Sequence, residues 1–588
     1  MSNSKATRFV AFTLVLSILM ISLSSSNLRA APDQPRYGGT FIVGIDAEPE
    51  TLNLAITNSF QALIAGGPVF NTLMTYDENY IPHPELAQSW QVAPDGLTYT
   101  FNLVRNATWH DGYAFTSADV KFTYTQILSK YQARVTGPLS YVSSVDTPDN
   151  YTVVFRMKKS YTPLLYLLGM PVGPILPAHL YSGTDVLTNK NNFAPVGTGP
   201  YKFVEWKRSE YVKLAKNDKY WKTGQPYFDQ IIFKAIPDAT ARVLALQRGD
   251  INYLAYYSVP YSAVGQLTKD PNLVYTFSRV VPSATIVQLF LNLRRPILNN
   301  TDVRHALNYA INKTEMIDKV AFGMGTVAVG PIPSTYGPTV FNPNLPTYPY
   351  DVGTANGLLD KAGYPRGANG TRFSLELTWQ VQDMTLARAS ELMKSQLALV
   401  GVNVKLNPQE RAQMIDTVFN RWNYDMCFDH TATGPVVDVG VSRLSVSSNI
   451  GHNAFDNGAA YSNPKVDALW DDAAKTVDPA QRTQDLYQVQ VILIQDMPAL
   501  WLWEEKSIAL WGKDFTGLHG TNTNYGTYDL HDAYWLKGTM ATPQNVQTAG
   551  APFPWLSVGL AAAAAIVIIT GVLMLRKRKR AEQEEAKT

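Results

Sequence analysis

Apolar residues recur along the chain with the two periods that distinguish strands from helices. Residues 38–45, GGTFIVGI, form an almost continuous apolar run that is typical of a buried strand. Residues 97–104, LTYTFNLV, alternate between apolar and polar positions after the turn signal Pro-Asp-Gly at 94–96, which predicts a half-buried strand. Strand-like runs and amphipathic helices follow one another through the body of the chain, and this order indicates an α/β fold.

A later stretch has the order strand, helix, strand. A strand predicted over residues 371–380 is followed by a helix that Gly401 ends and by a second strand over residues 402–407. Two strands joined in this way pair in parallel through a right-handed crossover. Another long helix is predicted over residues 480–496. Because these α/β regions are too large to share one core, the pattern favours two lobes.

Two apolar segments at the ends of the chain predict export and anchoring. Residues 1–30 have the layout of a secretory signal peptide, because Lys5 and Arg8 precede an apolar run and small residues lead to Ala30. Residues 555–575 are uncharged. As a helix rising about 1.5 Å per residue they would be about 31 Å long, close to the thickness of the hydrocarbon core of a bilayer. We therefore predict a C-terminal transmembrane helix.

The segments beside that helix determine its predicted orientation. The tail at residues 576–588 begins with Arg-Lys-Arg-Lys-Arg, so the positive-inside rule places it in the cytoplasm. Residues 541–554 are rich in Pro, Thr, Gln and Ala, a composition typical of a short stalk. The sequence therefore predicts a single-pass protein of the cell membrane whose large domain is extracellular or periplasmic.

Charge and cysteine content narrow the possible functions. Between residues 31 and 575 the chain has 41 basic and 45 acidic residues, a net charge of −4. A nucleic-acid-binding protein needs a positive surface to displace phosphate counterions, so that class is disfavoured. The only cysteine, Cys427, excludes an internal disulfide and a cysteine-based zinc site. The 8 histidines include no pair at metal-ligand spacing, so we predict neither a metal nor a cofactor.

Two short motifs resemble catalytic or phosphate-binding sequences, but each has a structural explanation. Residues 109–112, Trp-His-Asp-Gly, contain the Asp-Gly pair of a β-turn, and no Ser or Cys nucleophile accompanies the histidine. Residues 197–202, Gly-Thr-Gly-Pro-Tyr-Lys, lack the Gly-Lys-Ser/Thr ending of a phosphate-binding loop, so we expect a tight crossover near a hinge. We therefore predict no catalytic residue, and any ATP hydrolysis belongs to a separate partner.

Longer blocks carry a more specific signal. The first, residues 84–122, contains Pro-x-Leu-Ala, then Ser-Trp, Pro-Asp-Gly, His-Asp-Gly and an Ala-Asp-Val helix start. Further blocks cover residues 196–206, 216–252, 290–313, 350–367 and 461–503. In this order they resemble the extracellular solute-binding proteins of family 5, the oligopeptide and dipeptide receptors of ABC importers. The similar segments run from about residue 38 to about residue 505.

The resemblance implies a bilobal, periplasmic-binding-protein-like α/β fold of the large peptide-binding type, with a hinge between the lobes. It places lobe I at residues 38–57, 196–283 and 505–540, an extra subdomain of lobe I at 58–195, and lobe II at 284–504. The family usually has an N-terminal lipid anchor. No cysteine follows the signal region here, so we expect the C-terminal helix to take over that role.

The resemblance also points to an acidic residue of lobe II that pairs with the α-amino group of a bound peptide. In the family this residue lies downstream of a Tyr-Asp strand, which Tyr424-Asp425 matches. Asp438 falls nearest the expected distance, although Val439 replaces the usual proline, and Asp429 is the competing candidate. A loop-capping role is the structural alternative for either aspartate.

Two tryptophans are further candidates to line the cleft. Trp379, at the end of a predicted strand, and Trp422 would stack on sugar faces or pack against side chains, and burial in the core is the alternative for each. Some relatives in this family bind oligosaccharides, so aromatic residues keep a sugar ligand among the alternatives.

The sequence therefore predicts a monomeric, membrane-anchored receptor that captures oligopeptides or dipeptides by hinge closure and delivers them to an ABC permease and its ATPase. An oligosaccharide receptor of the same fold is the first alternative. A cell-surface hydrolase would need paired carboxylates or an activated nucleophile, which we do not find. A surface-layer protein would show repeats, and a sensor for a signalling kinase would share the fold but not the partner.

Overall fold

The structure is a computed structural model, and it describes residues 36–76, 81–132, 134–170, 172–255, 258–277, 284–433, 436–451, 455–518 and 534–535. The predicted signal peptide, stalk, transmembrane helix and basic tail lie outside the described residues. Among the residues that are described, no helix is long and apolar enough to cross a membrane.

The strands of the described residues are numbered in chain order. They are β1 Thr40–Ile45, β2 Met74–Tyr76, β3 Pro82–Pro84, β4 Ala87–Val92, β5 Thr98–Leu103, β6 Val142–Asp149, β7 Thr152–Met157, β8 Tyr201–Lys207, β9 Tyr211–Lys216, β10 Gln230–Ala235, β11 Tyr253–Leu254, β12 Leu273–Phe277, β13 Thr285–Leu291, β14 Gly325–Val327, β15 Phe373–Gln380, β16 Val402–Gln409, β17 Met426–Ala432, β18 Ala499–Glu505, β19 Ile508–Gly512, β20 Phe515–Thr516 and β21 Tyr534–Trp535.

The α-helices lie mostly between these strands. They are Phe60–Gly66, Ser117–Phe122, Ser129–Tyr131, Thr136–Leu139, Ala178–Tyr181, Ala239–Arg248, Tyr261–Leu267, Pro296–Asn299, Thr301–Tyr309, Lys313–Lys319, Val352–Lys361, Met384–Ala398, Arg411–Ile415, Val437–Gly440, Pro464–Lys475 and Pro479–Asp496.

Three sheets organise most of the strands. The first sheet has the order β12-β19-β11-β1-β10-β9-β8, the second β14-β18-β13-β17-β15-β16, and the third β4-β5-β7-β6. In the first sheet β1 pairs in parallel with β10 and β11, and in the second β15 pairs in parallel with β16 and β17. The chain passes from the first sheet to the second between β12 and β13 and returns between β18 and β19. Parallel strands with helical connections confirm the predicted α/β class.

The predicted strand–helix–strand unit is present as β15, the helix Met384–Ala398 and β16. The carboxylate of Asp383 caps the helix by accepting the backbone N–H groups of Thr385 and Leu386, each at 2.9 Å. Gly401, at φ +80°, turns the chain into β16, whose Val402 pairs with Phe373 in parallel register. The strand, the helix and the second strand that the sequence predicts are therefore all present.

The half-buried strand predicted over residues 97–104 is present as β5, and a capped helix follows it. Alternate residues of β5 are buried, as the apolar/polar alternation indicates. Thr116 is the N-cap of the next helix, and the carboxylate of Asp119 accepts the Thr116 backbone N–H at 3.0 Å. The same carboxylate accepts the backbone N–H of Ala178, also at 3.0 Å, so the cap joins two segments of the chain.

The two motifs that resemble functional sequences contact one another in the fold. The backbone N–H of Gly197 donates to Nδ1 of His110 at 3.2 Å, so the proton of the neutral ring lies on Nε2, which donates to the Gly199 carbonyl at 2.9 Å. Burial lowers the pKa of His110 to about 4. His110 is therefore a neutral link between the turn at residues 109–112 and the loop at residues 197–200.

The second sheet is buried on both faces. All seven residues of β13 are buried, with Val287 and Leu289 in one apolar cluster and Ile286 in another on the opposite side. A separate large cluster joins the first and third sheets, where Phe41 of β1 and Phe101 of β5 both belong to it. The chain thus has distinct cores on the two sides of the β12–β13 crossing.

Candidate functional site

A cleft of about 1140 Å³ opens between two different parts of the fold. One side, the N-terminal wall, consists of Asn58 and residues between 134 and 161, beside the third sheet. The other side, the C-terminal wall, consists of residues between 411 and 475, beside the second sheet. The volume exceeds the range of about 300–1000 Å³ that is usual for pockets of drug-sized ligands. A larger solute therefore fits.

The two walls are joined along one edge of the cleft. The ammonium of Lys159 lies 3.1 Å from the carboxylate of Asp471, and the hydroxyl of Ser160 donates to the carbonyl of Lys475 at 2.7 Å. Val436 of the second-sheet side also packs into the apolar cluster of the first and third sheets. These contacts enclose the cleft on that side, so a solute there would touch both walls.

Charged side chains from both walls line the cleft. The cations are Arg134, Lys159, Arg411, Arg443 and Lys475, and the anions are Asp438, Asp456, Asp467 and Asp471. Sequence reasoning identified only Asp438 among them. The sequence does not indicate that the others line a cleft, because only the fold brings the charged residues of the two walls together.

Asp438 lines the cleft, but its carboxylate already has a partner. It lies in the short helix Val437–Gly440 and forms a two-pronged ion pair with Arg482 of the helix Pro479–Asp496, with Oδ1 2.9 Å from Nη1 and Oδ2 in contact with Nη2. The side chain of Asp438 is only 3% exposed. Burial disfavours the charge of Arg482, but Asp438 outweighs this and raises the Arg482 pKa. The Asp438 charge is therefore compensated before any ligand binds.

Asp429 is outside the set of residues that line the cleft. It lies on β17 opposite Gln288 of β13. Burial raises the pKa of its carboxyl, against the opposing effects of His430 and Arg411. Its charge acts on Arg411 and Arg443, two residues that do line the cleft.

The next residue, His430, forms a network that the sequence did not reveal. Its Nε2 lies 2.8 Å from the carboxylate of Asp383, and its Nδ1 lies 3.0 Å from that of Glu505. The hydroxyl of Tyr261 donates to the other oxygen of Glu505 at 2.9 Å. Burial disfavours a charged ring, but Glu505 and Asp383 hold the pKa of His430 well above its usual value. The network joins the second sheet to a helix beside the first.

Neither predicted tryptophan lines this cleft. Trp379 is 5% exposed and belongs to an apolar cluster of the second sheet, as its core alternative predicts. Trp422 has a left-handed backbone at φ +53°, and the guanidinium of Arg294 lies over its ring, 3.9 Å from the centroid. The indole rings therefore supply no sugar-stacking surface in the cleft.

In the described part of the chain, no group of three or more His, Cys, Asp or Glu side chains is arranged to hold a metal ion. Cys427 is buried, which raises the pKa of its thiol well above the usual value. What the cleft offers is hydrogen bonding and charge, which suit reversible binding of a solute.

Comparison with known proteins agrees with this geometry. The family model described as bacterial extracellular solute-binding proteins, family 5 Middle, matches residues 82–452, more than half of the chain. The glutathione-binding protein GsiB of Pectobacterium atrosepticum is 29% identical over 523 residues, which cover 86% of this chain and 95% of the relative.

Solved structures show the same architecture. The ABC transporter-associated periplasmic binding protein DppA of Helicobacter pylori, solved with the peptide STSA, is 26% identical with a TM-score of 0.71, over 85% of this chain and 99% of that one. The oligopeptide-binding protein AppA of Bacillus subtilis, solved with a nonapeptide, is 25% identical with a TM-score of 0.71, over 86% and 100%. These neighbours are bilobal binding proteins.

The relatives decide between the classes of function that the sequence left open. They are solute-binding proteins rather than enzymes, which confirms the prediction of a non-catalytic receptor and removes the hydrolase alternative. The fold, the cleft and the match across residues 82–452 lead to one conclusion: the chain belongs to the family 5 extracellular solute-binding proteins of ABC importers.

Proposed function

We propose that this protein is a peptide receptor that binds its ligand in the cleft between the two walls and delivers it to an ABC permease. The observation that carries the proposal is the large cleft lined by cations and anions from both walls. A peptide presents opposite charges at its two ends and a backbone rich in hydrogen-bonding groups. Relatives named for glutathione binding, and others solved with a tetrapeptide and a nonapeptide, support this class of ligand.

Binding is proposed to act through closure of the two walls. A ligand that touches both walls stabilises the arrangement in which they are joined, and the permease recognises that arrangement. The contacts of Lys159 and Ser160 with the helix Pro464–Lys475 are candidates for closure contacts. The crossing between β18 and β19 is a segment about which such a motion would occur.

The chain is further proposed to be exported and held at the membrane by its C-terminal helix. The apolar segment at residues 555–575, followed at once by five basic residues, supports this orientation. A tether would raise the local concentration of receptor at the permease, so that modest affinity between the two would suffice.

The sugar alternative has less support from the cleft. Oligosaccharide sites depend on exposed aromatic faces, whereas neither Trp379 nor Trp422 lines this cleft and Trp470, which does, is only 4% exposed. Nine of the 26 residues that line the cleft are charged, against four aromatic ones, Tyr141, Tyr161, Phe455 and Trp470. We therefore favour a ligand that carries its own charges.

The proposal is tested with the full-length protein and three defined solutes: glutathione, the peptide Ser-Thr-Ser-Ala and the uncharged sugar maltotriose. We expect saturable binding of one peptide per chain by calorimetry, no binding of maltotriose, and stabilisation of about 2.7 kcal/mol at a ligand concentration of 100 times Kd. Native mass spectrometry of the gently purified protein should show a co-purified peptide.

A matched pair of variants locates the binding. Gly137 lines the cleft and Gly265 does not, and an added Cβ would meet nothing within 4 Å at either position. Gly137→Trp should therefore obstruct the cleft and weaken peptide binding, while Gly265→Trp should leave it unchanged. Equal affinity of the two variants, or binding of maltotriose with no peptide bound, would contradict the proposal.

A further inference from the structure

Two of the four carboxylates that line the cleft form ion pairs within the chain. Asp438 is paired with Arg482. Asp471 contacts both Lys159 and Lys475. These pairs compensate the charges of Asp438 and Asp471, so neither carboxylate offers an uncompensated charge to a ligand ammonium.

Two arginines of the cleft differ from these paired residues. Arg134 belongs to the N-terminal wall and Arg443 to the C-terminal wall. Neither forms an ion pair with any carboxylate of the residues that the structure describes. The Nε–H of Arg443 donates to the carbonyl of Gly440 at 3.2 Å. The terminal nitrogens of both guanidinium groups are therefore suited to an acceptor from outside the chain.

The two cations also influence one another across the cleft. Burial lowers the pKa of Arg443, and the charge of Arg134 lowers it further, while Asp456 and Asp429 have the opposite effect. Two like charges at a partly buried site repel one another more strongly than in water. An anion placed between them would remove that repulsion and connect the two walls.

We propose that Arg134 and Arg443 together bind a carboxylate of the ligand, so that the receptor selects peptides by an anionic group rather than by their ammonium. The inference rests on the proposed peptide function and specifies which part of the peptide is recognised. Guanidinium groups suit this task because their planar N–H donors match the two oxygens of a carboxylate. One arginine from each wall makes binding of the anion depend on closure.

The test uses calorimetry on the full-length protein with Ser-Thr-Ser-Ala and glutathione as probes. The variants are Arg134→Gln and Arg443→Gln. The control is Arg248→Gln, an exposed arginine outside the cleft. Each cleft variant should weaken binding of the free-acid peptide about 10- to 100-fold, because each removes charge-assisted hydrogen bonds. The control should bind like the wild type.

The source of the carboxylate is decided by blocking one group at a time. Ser-Thr-Ser-Ala with a C-terminal amide should bind about 10- to 100-fold more weakly than the free-acid peptide if the terminal carboxylate is the anion that the arginines bind. Glutathione has two carboxylates, and esterification of the glycine carboxylate or of the glutamyl carboxylate shows which of them is recognised.

Stability of the unliganded protein separates a binding defect from misfolding. Removing Arg134 should leave the melting temperature of Arg134→Gln equal to that of the wild type or higher, because its charge opposes that of Arg443. Arg443→Gln also loses the attraction of Asp456 and Asp429, so a far-UV circular dichroism spectrum equal to that of the wild type is the check that it folds. Undiminished affinity in both variants, or tight binding of peptides with every carboxylate blocked, would overturn the inference while leaving the peptide function intact. If the wild type binds neither probe, the proposed function itself fails and the inference fails with it.

Discussion

The carboxylate of Asp438 is held by both terminal nitrogens of Arg482, with 2.9 Å between Oδ1 and Nη1. The residue that the family resemblance assigns to the ligand ammonium is thus part of an internal ion pair. Its side chain is 3% exposed and that of Arg482 is 19% exposed, so the pair lies largely out of solvent.

Removing one partner of this pair should destabilise the protein strongly. Arg482→Met leaves the Asp438 carboxylate buried without a counter-ion, and we expect a loss of about 3–5 kcal/mol in the free energy of unfolding at neutral pH. Urea denaturation of the two proteins measures it. The control is Arg421→Met, whose ion pair with Asp416 is 65% and 41% exposed and should contribute less than about 1 kcal/mol. Equal losses in the free energy of unfolding for the two variants would show that burial does not strengthen the ion pair of Asp438 with Arg482.

His430 should stabilise the protein in a window set by its raised pKa. Asp383 and Glu505 lie against its ring, and Asp429 accepts its backbone N–H at 2.8 Å. A histidine whose folded-state pKa is raised contributes fully below the unfolded value of about 6.5, and the contribution is lost as the pH rises through the folded-state pKa.

The variant His430→Gln should therefore be less stable than the wild type by an amount that is largest near pH 6 and that declines with increasing pH. Denaturation over a pH series measures this difference. His305→Gln is the control, because the His305 ring contacts the Gln495 carbonyl and forms no ion pair among the described residues. A difference for His430→Gln that grows as the pH rises would mean that the ring is neutral in the fold.

His110 should have the opposite pH dependence. Its folded-state pKa of about 4 lies below the unfolded value, so the unfolded chain binds a proton first as the pH falls. The fold should lose stability between about pH 6.5 and about pH 4, by at most about 3 kcal/mol from this group. His110→Asn should lack this loss when its denaturation is compared with the wild type at the two pH values. A variant with the same acid sensitivity as the wild type would assign the loss to other groups.

The loop at residues 197–200 should tolerate no side chain at Gly197. An added Cβ would lie 1.8 Å from the carbonyl oxygen of Val69, which is far inside contact distance. We expect Gly197→Ala to cost about 3 kcal/mol of stability by thermal or urea denaturation. Gly265→Ala, on an open helix surface, should instead stabilise by about 0.5–1 kcal/mol. A stable Gly197→Ala protein would show that the loop is not packed as described.

Sequence reasoning succeeded where one segment determines its own conformation. The alternation in β5 and the turn at Gly401 each depend on residues within a few positions of one another. The family was also identified from local blocks, and the match to residues 82–452 confirms it. The boundaries of the lobes and of the extra subdomain stay predictions, as do the two terminal segments.

The site was harder to predict because it depends on contacts between distant segments. Arg482 lies 44 positions after Asp438, and nothing in the intervening sequence indicates that they pair. Arg134 and Arg443 come from opposite walls, so their common environment exists only after the chain has folded. Trp379 illustrates the same limit, since its aromatic ring fits a cleft and a core equally well until burial is known.

The position of β19 has a consequence for how the protein is made. This strand lies between β12 and β11 inside the first sheet, yet it follows the whole second sheet in the chain. The first sheet therefore cannot be completed until residue 512 has emerged from the ribosome, and β12 lacks its neighbour until then. The first sheet therefore forms its complete hydrogen-bond ladder only after the entire second sheet has been synthesised.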